Sequence, residues 1–294
     1  MKKLALLLTA LGVMSATAFA EQPTLKVDYI GQEIEVENTS GDENIGELFW
    51  FFNNVGLSYG NDWTFGLQAG KTWGADTDDG FHSNAKDGSR LQLDVWRKFD
   101  GYKLGFRYRG HKQYDRYYGR VDWSHGIFWG AADIFYESNT ETKASNDSWK
   151  GEIFPIGLQY NGFKIGWFID AQEVTGGIAK GEKENYYQHQ IRFYAPLYKG
   201  EKLTSNFEYR MTLTYDESYK DGKQHAEVKD FGRHRVYIKN NYKVKDNLDV
   251  FLNLGYQTSK YESVEGKNAN TESDKYWSYV NVGWKYTFKF LNIK

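Results

Sequence analysis

The sequence contains no cysteine and only 3 prolines, and after its first twenty residues it has no long apolar run. Without cysteine there is no disulfide framework of the kind that reinforces many exported soluble proteins, and no thiolate for a transition-metal site. A helix needs roughly 20 apolar residues to cross a bilayer, so the chain beyond residue 20 is expected either to be soluble or to cross with strands. Charge of one sign is lacking too. The formal net charge is −2, and −4 once Lys2 and Lys3 are removed (−2 minus 2), which gives no footing for nucleic acid.

What is present points to strands. Glycine numbers 30 and aromatics make up 18% of the residues, a composition that supplies tight turns and interfacial rings. The negative mean hydropathy, −0.71, is no objection, because a barrel shows lipid only every second residue. At the start, Lys2 and Lys3 precede the apolar run Leu4 to Val13 and the small-residue triplet Ala18-Phe19-Ala20. That order reads as a secretory signal cleaved after Ala20, with residues 21–294 forming a single barrel domain.

Tight turns alternate with longer polar segments. The turns are Gly60-Asn61-Asp62, Asp100-Gly101, His125-Gly126, Asn161-Gly162, Lys199 to Lys202 and Lys245-Asp246-Asn247. Asp-Gly and Asn-Gly signal type I′ hairpins, whose two central residues both need positive φ. Large apolar or aromatic residues bracket every turn: Tyr59 and Trp63, Phe99 and Tyr102, Trp123 and Phe128, Tyr160 and Phe163, Leu197 and Leu203, Tyr242 and Leu248. Recurrence of this kind is what an interfacial girdle requires. The polar segments are Asn38 to Gly46, Ala75 to Gly88, Gly110 to Asp115, Asn139 to Ser148, Thr175 to Glu184, Asp216 to Lys229 and Glu262 to Asp274. Seven loops and six turns divide the chain into about fourteen strands of an all-β, antiparallel, up-and-down transmembrane β-barrel. The hairpin from Tyr102 to Ser124 is the shortest, which leaves twelve or sixteen strands as alternatives.

Within the strands, alternation separates a lipid face from an inner face. Tyr276, Val280, Val282, Trp284, Tyr286, Phe288 and Phe290 share one parity, with Asn281, Gly283, Lys285, Thr287 and Lys289 on the other. Phe207, Tyr209, Met211 and Leu213 stand likewise against Asn206, Glu208, Arg210 and Thr212. Three features resist the scheme: parity fails near Ile30-Gly31, Asn53 falls on the lipid side, and Pro155 interrupts a strand that has no edge to hide it.

The inward parity carries Arg90, Lys103, Arg107, Arg109, Arg116, Arg120, Lys164, Arg192, Arg210, Arg233, Arg235, Lys239 and Lys285, with Trp96, Trp129 and Tyr237 among them. Fewer acids accompany them: Asp94, Asp122, Asp133, Asp170, Glu208 and Asp249. So many charges cannot sit in a dry core, so the interior is read as wet and these side chains as pore-lining. The basic excess, set against acidic loop residues at 76–79, predicts a modest preference for anions. Catalysis finds no support, because none of the six histidines takes the inner parity: most lie in loops or turns, and His189 and His234 take the lipid side. No close cluster suggests a metal and no glycine-rich segment precedes a helix, so no cofactor is expected.

At Ile191-Arg192-Phe193-Tyr194-Ala195-Pro196-Leu197, and from Asp274-Lys275-Tyr276 through Gly283 to Tyr286-Thr287-Phe288, the sequence resembles the OmpG family of monomeric outer-membrane porins. The resemblance implies a fourteen-stranded monomer in outer-membrane lipid that passes small hydrophilic solutes, oligosaccharides included. It also implies a wall of arginines opposed by carboxylates, with Arg192 at the matching position and Arg210 and Arg235 as equivalents on the next two strands. Two departures stand out. The family's best-known member closes at low pH through facing histidines on the twelfth and thirteenth strands, whereas here the thirteenth, Leu248 to Tyr261, has none and His234 is read as outward, so such gating is not expected. Residues Leu291 to Lys294 follow Phe290, so Phe288 or Phe290 would supply the aromatic signal that the barrel-assembly machinery reads. Two other readings stay open: a channel selective for acidic oligosaccharides, and a barrel serving as a surface adhesin or an enzyme.

Overall fold

The computed structural model describes residues 24–39, 48–76, 80–82, 88–139, 147–176, 183–220, 227–262 and 272–293. The signal expected at 1–20, most of the long loops, the acidic residues 77–79 and the side chains beyond 289 lie outside these described residues. The strands are β1 (Leu25–Thr39), β2 (Leu48–Tyr59), β3 (Trp63–Asp76), β4 (Gly80–His82), β5 (Ser89–Lys98), β6 (Tyr102–His111), β7 (Tyr114–His125) and β8 (Phe128–Asn139). They continue as β9 (Ser148–Tyr160), β10 (Phe163–Val174), β11 (Lys183–Lys199), β12 (Leu203–Tyr219), β13 (Glu227–Lys245), β14 (Leu248–Glu262) and β15 (Glu272–Ile293).

Consecutive wall strands pair antiparallel, and β1 pairs with β15 from Leu25↔Ile293 to Thr39↔Trp277, which closes the sheet into a barrel. Among the described residues β4 pairs only with the end of β3, and fourteen of the fifteen strands form the wall. The short hairpin that left twelve or sixteen strands open is a full pair, β6 and β7, in register from Tyr102↔Trp123 to Gly110↔Asp115. Among the described turns, Asn161 (φ 49°) and Gly162 (φ 86°) are both left-handed, as a type I′ turn demands. At Asp100-Gly101 only the glycine is (φ 76°), so that turn departs from the type I′ expectation.

Closure satisfies the backbone internally, which the hydrocarbon of a bilayer requires. Outward positions are correspondingly apolar: Ile30, Ile34, Leu67, Leu104, Ile165, Leu252, Leu254, Val280 and Val282 are exposed large hydrophobics. Exposed rings ring the turn end at Tyr102, Phe128, Tyr160, Phe163 and Tyr242, and the loop end at Tyr117, Trp149, Tyr187, Tyr256 and Tyr276. The exceptions have local remedies. Asn53 does face outward, where it accepts a 2.8 Å hydrogen bond from Gln32, its cross-strand partner on β1. The bulge expected near Ile30-Gly31 falls slightly earlier, between Val27 and Tyr29. Pro155 sits where β9 has one residue more than both neighbours: Phe154 pairs with Ala131 and Gly157 with Trp129, while Ile153 pairs with Ile169 and Ile156 with Trp167. A bulge leaves the extra residue unpaired, so the missing N–H costs no ladder bond.

Inside, aromatic rings lie over glycines on adjacent strands. A Cβ built on Gly70 would fall 2.1 Å from the ring of Phe52, which is fully buried, and one on Gly157 would fall 2.3 Å from Trp129. These glycines are spaces that the rings occupy, fixing register as core packing does in a soluble protein. Gly70→Val should therefore destabilise the barrel by about 1–3 kcal/mol, the usual cost of overpacking. Urea unfolding of the refolded protein in detergent or bilayer checks this; an unchanged midpoint would show that Phe52 is free to move aside.

Candidate functional site: the charged interior

Alternation along the wall strands aims one set of side chains at the interior, and cross-strand register then decides which of them meet. On β5 to β8 they meet as carboxylates clamped between cations. Asp94 accepts from Arg107 at 2.6 Å and from Arg120 at 2.8 Å, and Arg120 also reaches Asp133 at 2.8 Å. Gln92 extends the network, donating to Asp94 and accepting from Arg109, both at 2.8 Å. Glu137 joins Arg116 to Lys150, the latter at 3.0 Å. Nearer the turns Lys103 pairs with Asp122 at 2.7 Å.

Next to the closing seam the wall is acidic and amide-rich. Asn253 donates to Asn281 at 3.0 Å and Asn281 to Glu33 at 3.1 Å. Glu33 also accepts from Asn54 at 3.1 Å and Gln68 at 3.0 Å, and Arg90 donates to Gln68 at 2.8 Å. One belt of side-chain bonds thus crosses β14, β15, β1, β2, β3 and β5. Farther along β1, Glu35 accepts from the Tyr279 hydroxyl at 3.1 Å.

The third arc, β11 to β14, is built differently. Glu208 holds Arg210 at 2.5 Å and Lys239 at 2.6 Å. Arg192 instead donates to Gln190 at 2.8 Å, Arg235 to Gln257 at 2.6 Å and to the Tyr237 hydroxyl at 3.2 Å. Arg233 spreads its donors over Ser259, Gln188 and Tyr261 at 3.3, 3.0 and 3.1 Å. Asp170 accepts from Tyr186 at 2.9 Å.

Inward aromatics support many of these cations from beneath. The guanidinium of Arg192 lies 3.3 Å from the centroid of Phe168, Arg90 4.1 Å from Phe52, Arg235 4.4 Å from Trp277 and Arg120 4.5 Å from Trp96. Lys164 sits 5.6 Å over Trp129 near the turns. Stacking on a ring face suits the planar, weakly hydrated guanidinium, and it holds the cations against the wall.

Inner-face residues named from parity, among them Arg90, Asp94, Arg107, Arg120, Arg235 and Tyr237, meet one another or their neighbours on one face of the sheet. Parity missed several acids and bases: Glu33, Glu35 and Glu37, Glu137, Lys150, Glu152, Lys183 and Glu217 also face inward. The β1 bulge hid the first three. Glu217, paired with Lys183, was hidden by a second bulge at Leu213, across which Gln190 pairs with Thr212 and His189 with Thr214. The basic excess expected from the sequence is accordingly smaller, and positive charge is concentrated by place. One histidine is also corrected: β6 runs on to His111, which pairs with Arg90 and packs on the inward ring of Trp50 at 5.8 Å. His234 faces outward, with Nδ1 2.7 Å from the Tyr209 hydroxyl, and His189 stacks outside on Trp167.

No protein-family model matches the chain, and no curated protein does. Among solved structures it is similar to an anion-selective porin from Comamonas acidovorans, at 11% identity and a TM-score of 0.46, covering 91% of this chain and 100% of that one. It is similar also to OmpT, an outer membrane protein of Vibrio cholerae, at 13% identity and a TM-score of 0.46 over 92% and 100% of the two chains. The outer membrane channel DcaP of Acinetobacter baumannii aligns at 9% identity and a TM-score of 0.45 over 93% and 100%. Likeness at this level assigns neither family nor solute.

Asp94 is the carboxylate on which the β5 to β8 cluster turns. Asp94→Asn should cost on the order of 2 kcal/mol, because two guanidiniums lose a charged acceptor while remaining partly solvated. Urea unfolding measures that loss; a midpoint at or above that of the parent would show that the two ion pairs of Asp94 contribute no net stability.

Proposed function

We propose that this protein is an outer-membrane porin, a water-filled channel for passive diffusion of ions and small hydrophilic solutes, oligosaccharides among them. One observation carries the reading: a continuous lining of charged side chains inside a barrel whose outside is apolar. Isolated charges in a dry interior would cost many kcal/mol each, and even paired ones lose most of their mutual gain to desolvation. Water in the lumen removes that cost. Fourteen strands also give a wider barrel than the eight whose interior side chains fill. The signal read at residues 1–20 supports export, and a wall closed by one chain supports a monomer seated in lipid. The aromatic Phe288 on β15 supports its handling by the barrel-assembly machinery.

Two basic arcs, on β5 to β8 and β11 to β13, flank the acidic β1, whose Glu35 and Glu37 line one recess with Arg210, Arg235 and Lys239 of the second arc. Charge of both signs along the lining admits ions of either sign, with a modest preference for anions where the arginines lack carboxylates. Reconstitution of the mature chain into a planar bilayer should give stepwise, ohmic channels with an anion-directed reversal potential across a salt gradient. Cation selectivity would remove the anion preference, and absence of any conductance would favour an adhesin or an enzyme over a pore.

A further inference from the structure

We infer that the β11 to β13 wall holds a binding recess for a hydroxylated solute bearing a carboxylate, of the sugar-acid class. The inference rests on the pore reading and deepens it. Its starting point is a costly arrangement. Arg192 on β11, Arg210 on β12 and Arg235 on β13 are direct register partners, three guanidinium side chains in one cross-strand row. Like charges directly opposite one another destabilise a sheet. On the β5 to β8 wall Asp94, Asp133 and Glu137 relieve such crowding. Here Glu208 pairs with Arg210, while Arg192 and Arg235 form no ion pair among the described residues.

Both are nevertheless held in place. Their Nε groups are fixed by the neutral amides of Gln190 and Gln257, and their planes lie on Phe168 and Trp277. Neutral acceptors orient a guanidinium without cancelling its charge, leaving it ready for an exchangeable anion. Carboxylate is the natural complement of that planar fork.

The row opens on a recess of about 340 Å³, a volume within the range of small-ligand sites. Glu152 and Asp170 line the side of the same recess contributed by β9 and β10. Two carboxylates would repel a bare inorganic anion, but they accept hydrogen bonds from hydroxyl groups. A solute with its acid on the arginine row and its hydroxyls toward Glu152 and Asp170 satisfies both banks at once, which neither a neutral sugar nor a simple anion does.

The test uses single channels of the mature chain in a planar bilayer, with sodium galacturonate, galactose and sodium acetate as probes. Galacturonate should interrupt the current saturably, at a half-blocking concentration about tenfold or more below those of galactose and acetate, equivalent to at least one extra charge-assisted contact. In R192Q/R235Q, checked for folding by its resistance to detergent, that advantage over galactose should vanish. Equal blocking by galacturonate and galactose, or by galacturonate and acetate, would overturn the site in the parent protein without any variant. Persistence of the advantage in the folded double variant would overturn its location. Open channels that ignore galacturonate would sink this inference alone, whereas absence of channels would sink the pore reading with it.

Discussion

The pairing of β1 with β15 is the constraint on which everything else in this molecule depends. A strand inside hydrocarbon cannot leave N–H and C=O groups unpaired, so the sheet must return on itself or not cross at all. Once closed, it has an inside and an outside, and alternation assigns each residue to one of them. Apolar side chains then face lipid, and charged ones are left with the lumen. Irregularities are tolerable only where they leave the ladder intact. Pro155 illustrates this, because the β9 bulge that contains it takes the extra residue out of both neighbouring ladders.

The lumen is organised by the same register. Where cation and carboxylate meet across strands, as at Asp94 with Arg107 and Arg120, the wall is braced by mutual pairing. Where register sets Arg192, Arg210 and Arg235 side by side, the wall keeps a charge it has not neutralised. Aromatic plates serve both regions, since Trp96 supports Arg120 and Phe168 supports Arg192. Rings over glycines, Phe52 on Gly70 and Trp129 on Gly157, supply the close packing that a hollow molecule cannot obtain from a central core. The interior thus combines a cross-braced lining with charge that is unevenly placed around it.

Much of this was legible in the sequence, for a physical reason. The period-2 alternation is the signature of a half-exposed strand, and it survives wherever the ladder is regular. Six bracketed turns mark the hairpins, and parity separates the charged series that includes Arg90, Arg192 and Tyr237 from the apolar one. A bulge shifts parity by one and leaves no mark on composition, so Glu33, Glu35 and Glu37 behind the β1 bulge, and Glu217 behind Leu213, escaped the reading. His111 escaped for another reason: β6 continues to His111, into the polar stretch from Gly110 to Asp115 read as a loop. Which inner charges pair and which stand in a row was not legible either. That depends on cross-strand register, which is set by the turns and bulges acting together.

The central claim, an aqueous lumen within a lipid-clad wall, is open to a direct measurement because the chain has no cysteine of its own. Asn253→Cys, on the inner face of β14, and Leu252→Cys, its outward neighbour, would each be reconstituted in liposomes and exposed to a charged, membrane-impermeant thiol reagent. The account requires rapid modification at position 253 and protection at 252. Protection at both positions would mean a dry, plugged interior, and modification at 252 alone would mean that the faces have been assigned the wrong way round.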